Sequence, residues 1–434
     1  MKAALLNLIS ITFLFSASAD PQITSWFTAN SGQVARIYRT DAEKFSGQAE
    51  TTWSNGHQSQ SQPALSGVQE ILSSTNWIYI RSTGLGSHVM GPWFNDLQHR
   101  FYFPNLPTDQ HYVFAIPRHP TAQITSKPSH LGEIGLFVDG VAMFDANDAF
   151  SYSSENGRDA DPRARIGRGD GVWNRDAFVN EGITFDAALG HQQNWGTYHY
   201  HAQPLALRYL LGDHVDFDPS TMTYHEASGP ATKHSPILGW MQDGYPLYGP
   251  YGFSNPTDRL SGVRRMVSGF VARNGEKGSD NLAQSGRRTL PAWATRSRNG
   301  SATLALSEAG PNVSAAYPIG HYIEDNVYLG DIGRKIEKDF DLDASNGRWC
   351  VTPEYPNGTY AYFTTIDAAG KPVYPYTMGR RFHGNPVGRL VDAIYEPVIT
   401  NFVTHAGASM SGNTQRAGST TLTWNSGTGR YESK

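Results

Sequence analysis

No stretch of the 434-residue chain keeps its apolar residues at a helical period over several turns. Segments such as "QVARIYRT", "NWIYIRS" and "HYVFAIPRHP" instead alternate apolar and polar residues, as a strand with one buried face requires. Turn formers interrupt these segments throughout, with 44 Gly and 25 Pro, while 22 Tyr and 20 Phe supply side chains that suit pleated surfaces. The expected fold is predominantly β: antiparallel sheets, sandwich-like or barrel-like, with a few short helices. The strongest hairpin signal is Asp139-Gly140 between "GLFV" and "VAMF". The expected helix is "PLALRYLLG", with Pro204 in its first turn and Gly212 as its C-terminal cap.

The chain divides into four regions. Residues 1–19 read as an export signal: a basic Lys2, an apolar run from Ala3 to Phe15, and small residues at Ala17 and Ala19, with cleavage leaving Asp20 first. The apolar run is too short to span a bilayer, and no later stretch is long enough either. A secreted or periplasmic location follows. Residues 20–130 form an N-terminal β segment, and residues 131–390 a central domain broken by a polar Gly-, Arg- and Ser-rich insertion at about 255–318. Residues 391–434 form a C-terminal β or tail segment, in which "TTLTWNSGTGRYES" reads as a closing hairpin or as a fragment of another β module. The formal charge is −4, and removing Lys2 with the signal makes it −5. With no basic block, nothing in the chain points to nucleic acid. Cys350 is the single cysteine, so no internal disulfide can form, and it reads as a small buried hydrophobe.

The stretch "GTYHYHAQP", Gly196 to Pro204, carries the most chemistry. In a strand, alternate side chains share a face, so His199 and His201 point one way and Tyr198 and Tyr200 the other. Two imidazoles on one face, roughly 7 Å apart at Cα, can grip one metal ion. The candidate ligands are His199, His201, His191 and His234. Asp243, Tyr198 and Tyr200 are outer-sphere partners or alternative ligands. Imidazole ligands favour copper or zinc.

The segments "NWGTYHYHAQP" and "HSPILGWMQDGYPLYGPYG", with the upstream "GLFVDGVAMFDANDAFSY" and the downstream "NGRWCVTPEYPNGTYAYFTTID" and "YPYTMG", resemble the YHYH-domain family, over roughly Leu131 to Pro386. The resemblance implies an exported protein and carries no settled activity.

Other chemistries fit less well. "HEASG" at His225 begins like a zinc-protease motif but has Gly229 where the second histidine belongs. "FDLDASNGRW" spaces Asp341 and Asp343 like a calcium loop, yet Asn346 stands at the glycine position and Thr352 at the glutamate position, so a calcium-stabilised turn is a minor expectation. Asp139, Asp145, Asp148, Glu324 and Asp325 are the carboxylates from which a hydrolase would draw its acid and base. Three functional readings stand: a transition-metal site of clustered histidines, a metal-free adhesion or carbohydrate-binding module facing extracellular glycan or matrix, and a secreted hydrolase. Whether the protein is an enzyme stays open.

Overall fold

The computed structural model describes residues 20–123, 128–161, 165–294, 304–305 and 308–404, with the backbone of Leu422–Asn425 and Arg430–Ser433. The expected signal, residues 1–19, lies outside them.

Alternation of side chains builds a five-stranded antiparallel sheet. Its spatial order is Arg389–Val391, Tyr112–Pro117, Trp77–Ser82, Val68–Ser73 and Ile399–Val403. Ile78, Ile80, Phe114 and Ile116 enter the main core, while Tyr79, Val113 and Ala115 join Leu72 and Ile394 on the opposite face.

An eight-stranded sheet follows the order Gly190–Gln192, Tyr198–Tyr200, Ala142–Phe144, Glu133–Phe137, Ile237–Met241, Pro246–Tyr248, Thr359–Phe363 and Gly347–Cys350. Two of its pairs are parallel: Tyr198–Tyr200 beside Ala142–Phe144, and Pro246–Tyr248 beside Thr359–Phe363. The other pairs are antiparallel, so the sheet is mixed rather than uniformly antiparallel. Parallel neighbours need long crossovers, and the 53 residues between Phe144 and Tyr198 supply one. Among the described residues both sheets are open, and their facing residues share one hydrophobic core that includes Ile80, Phe114, Leu136, Met143, Trp240 and Tyr362.

The expected local features hold. Glu133–Phe137 and Ala142–Phe144 form the hairpin, with Gly140 at φ +82° in its turn. The helix after the histidines is Leu205–Leu210; Pro204 is its N-cap rather than a first-turn residue, and Gly212 follows the C-cap at φ +69°. Leu422–Asn425 pairs antiparallel with Arg430–Ser433, closing the chain with a hairpin. Cys350 is buried. Among the described residues no helix is long and apolar enough to cross a membrane.

The described part of the polar region at 255–318, residues 255–294, 304–305 and 308–318, is more regular than its composition suggests. Asp258–Arg265 is a long strand paired with Tyr251–Asn255, and Phe270–Ala272 pairs with Asn326–Tyr328. Phe270, Leu290 and Trp293 from this region join Trp173, Tyr322 and Tyr374 in a second core. Its arginines fasten it: Arg287 makes a two-pronged ion pair with Asp325 at 2.7 and 2.8 Å, with both side chains fully buried.

Candidate metal centre

Strand register assembles the histidines. His199 lies directly opposite His191 in the antiparallel pair of Tyr198–Tyr200 with Gly190–Gln192. His201 follows two residues later on the same face. The tyrosines take the other face. There Tyr198 donates its hydroxyl to Asp186 Oδ2 at 2.8 Å, and Tyr200 meets Phe137 edge-on at 5.4 Å. Room for them comes from Gly190, where a Cβ would stand 2.3 Å from the Tyr198 hydroxyl oxygen.

A carboxylate completes the cluster. Asp176 caps the short helix Ala177–Glu181, accepting from the Val179 N–H at 3.1 Å, and the helix delivers Glu181 at its last turn. Glu181 Oε2 lies 3.2 Å from His191 Nε2 and 3.2 Å from His201 Nε2. His199 Nε2 lies 3.1 Å from both His191 Nε2 and His201 Nε2. The four ligand atoms all fall within 4.8 Å of one another. With sides of 3.1–3.2 Å and separations up to 4.8 Å, an ion at the centre of this flattened ring would stand roughly 2.0–2.4 Å from the four atoms, close to the bond lengths of zinc or copper(II) to nitrogen and oxygen.

The far side of each ring is fixed. His199 Nδ1 donates to the Thr197 carbonyl at 2.9 Å, and His201 Nδ1 to the Asp145 carbonyl at 2.6 Å, since a carbonyl can only accept. Thr184 donates its hydroxyl to the Glu181 carbonyl at 2.7 Å, so it accepts from His191 Nδ1, also at 2.7 Å. All three hydrogens are thereby held at Nδ1, and three Nε2 lone pairs converge beside a carboxylate. Phe144 stacks on His199 with centroids 3.9 Å apart, and Phe185 meets His191 edge-on at 4.8 Å.

The titration behaviour follows from this crowding. Burial, then the charges of the neighbouring imidazoles, hold His199 well below the ordinary histidine range. Burial likewise lowers His191. Burial opposes charge on His201, but the Glu181 carboxylate overcomes it and raises His201 above its ordinary value. Burial would also raise Glu181, yet His191 and His201 keep its carboxyl well below the usual range. Asp148 is raised, first by burial and then by Glu181, and Arg175 stands 3.0 Å from it.

The other predicted residues sit elsewhere. His234 lies outside the cluster, bonded through Nδ1 to the Ser235 carbonyl at 2.7 Å and ringed by Tyr248, Phe253 and Phe363. It precedes the strand Ile237–Met241, and two strands separate that strand from Tyr198–Tyr200. At about 4.8 Å per strand the offset is roughly 14 Å. Asp243 is buried and accepts from the Tyr362 hydroxyl at 2.6 Å and the Gly384 N–H at 2.8 Å. Asp341 grips Arg264 with both oxygens at 2.6 Å, and Asp343 accepts from the Ser345 and Gly347 N–H groups, so protein donors occupy both carboxylates of the suggested calcium loop. Asp139, Asp145, Asp148, Glu324 and Asp325 are all buried. Glu181 escaped the sequence reading because it stands ten residues before His191 on a helix of five residues, a spacing that no ligand motif prescribes. The one cue was Asp176, a capping residue that marks the start of that helix.

Against this geometry, the family model described as YHYH protein matches residues 113–375, more than half of the chain. No curated protein and no solved structure matches it.

Proposed function

The chain belongs to the YHYH protein family, and we propose that its signature strand forms one wall of a transition-metal site. The ligands are His191, His199, His201 and Glu181, and the ion is copper or zinc. One observation carries this reading: each imidazole is tied down at Nδ1 while the three Nε2 atoms meet Glu181 on a ring with sides of 3.1–3.2 Å. Neutral rings in this tautomer have no hydrogen to share between Nε2 atoms, so a cation satisfies all four groups at once. The competing arrangement is a proton on His201 Nε2 shared with Glu181, which a bound cation would displace.

Three histidines and a carboxylate provide a full set of four ligands, which favours a resident ion that stabilises the fold. Glu181 is the most exposed ligand, at 26 % for its side chain, so it is the position at which an external ligand would enter. The reading includes export, with residues 1–19 as a cleaved signal and Asp20 as the mature terminus; N-terminal sequencing of protein from the native host checks this. The test of the metal site is elemental analysis of the mature protein after equilibration with zinc or copper and dialysis. One tightly held equivalent is expected, with a higher melting temperature than chelator-treated protein. Substoichiometric metal and no stability difference would refute it.

A further inference from the structure

The opposite edge of the eight-stranded sheet carries a second feature. Gly347–Cys350 is its edge strand, and Trp349 on that strand is 62 % exposed, an unusual position for an indole with no described neighbour covering it. The ring has room because Gly358 lies beneath it: a Cβ there would stand 2.9 Å from the indole nitrogen. Trp349 borders a cleft of about 310 Å³ together with Tyr245, Tyr355, Asp20, Arg118 and His119.

Four chain segments build this cleft, and they come from both sheets. Asp20 and its short helix cross from one to the other. The Gln22 amide donates to the Pro117 carbonyl at 3.0 Å and the Gly244 carbonyl at 3.1 Å, which locks two walls together. Asp20 Oδ2 binds Arg118 Nη2 at 2.5 Å. The cleft is therefore preformed, and its one guanidinium is already balanced by a carboxylate. The Trp349 indole nitrogen and the Tyr245 and Tyr355 hydroxyls donate to no described residue, so three directional donors remain for a ligand.

We infer that this cleft binds a neutral saccharide of one or two pyranose rings, stacked on Trp349 and hydrogen-bonded by Tyr245, Tyr355 and the Asp20–Arg118 pair. A pyranose presents polarised C–H groups on one face, which suit the negative face of an indole, and a girdle of hydroxyls at its edge. A plate of aromatic surface rimmed by groups that both donate and accept matches that pattern. A phosphate or other strong anion would meet the Asp20 carboxylate, and a purely apolar ligand would strand the polar rim.

This inference does not rest on the metal site, which lies at the other edge of the sheet. The test is a titration of the mature chain, followed by tryptophan fluorescence and calorimetry, with cellohexaose, chitohexaose and mannohexaose as probes. At least one should bind with a Kd below about 1 mM, and W349A should weaken that binding by about tenfold or more. Y355A should weaken it as well, while H199A, which strips the metal site, should leave it unchanged. Trp349 is exposed, so W349A should fold as the native chain does. The inference is overturned if none of the probes binds, if W349A binds the sugars as tightly as the native protein, or if decaproline binds the cleft and the sugars do not.

Discussion

His191 and His199 face each other across an antiparallel strand pair, ring nitrogen to ring nitrogen at 3.1 Å, with Glu181 3.2 Å from His191. Removal of any one of these groups, or of His201, should break the ring. H191A, H199A, H201A and E181A should each lower metal affinity by more than the 10- to 100-fold that loss of an outer partner costs. H234A should leave metal content unchanged, since His234 lies about three strand spacings away. Metal-to-protein ratios measured across the five variants check the assignment.

Thr184 holds His191 through its hydroxyl at 2.7 Å and contributes no ligand atom. T184V preserves the shape and removes the acceptor, freeing His191 to rotate and to change tautomer. The expected loss is about 10- to 100-fold in metal affinity, with a cluster that still fills at saturating metal. Competition against a chelator of known affinity measures it; an unchanged affinity would mean that the ring is held by packing alone.

His234 offers a pH test outside the cluster. Burial pushes it down to about 4, so it stays neutral in the folded protein while the unfolded chain takes up a proton near 6.5. The unfolded state therefore binds more protons between these values, and the His234 contribution to stability is lost as pH falls through that window. Native protein should lose stability relative to H234F by about 1.4 kcal/mol for each pH unit between 6 and 4. Urea melts of the two proteins at several pH values give this difference directly, free of the contributions that they share.

The buried Arg287–Asp325 pair anchors the second core. R287A leaves a buried carboxylate without its partner and should cost about 3–5 kcal/mol. The double variant R287M/D325L removes both charges and should recover much of that loss. Chemical denaturation of the two variants separates an uncompensated charge from lost packing.

The period of two in "YHYH" placed His199 and His201 on one face and the tyrosines on the other, and the structure agrees because strand geometry is local. The Asp139-Gly140 hairpin was readable for the same reason. The place of His191 opposite His199 is not legible in the sequence, because it depends on register, which a one-residue slip would reverse. His234 lies outside the cluster because nearness to a neighbouring motif along the chain says nothing of strand order in the sheet. Glu181 was missed because the crossover between Phe144 and Tyr198 folds back over the strand, a long-range event with no periodic trace. The strands within the described part of 255–318 left no trace in its polar composition, because Arg273 and Arg287 are buried in ion pairs that composition does not reveal.

The four ligands come from two different cores. Tyr198 and Tyr200, which flank His199, belong to the main core, while Phe178 packs the helix of Glu181 against the second. An ion bound there would rivet two bodies that could otherwise breathe apart. In a chain with one cysteine it would take the place of a cross-link, although it acts by binding the folded ring rather than by constraining the unfolded chain. Its release should raise amide exchange first along that seam, on both sides together, and leave the far edge of the sheet quiet.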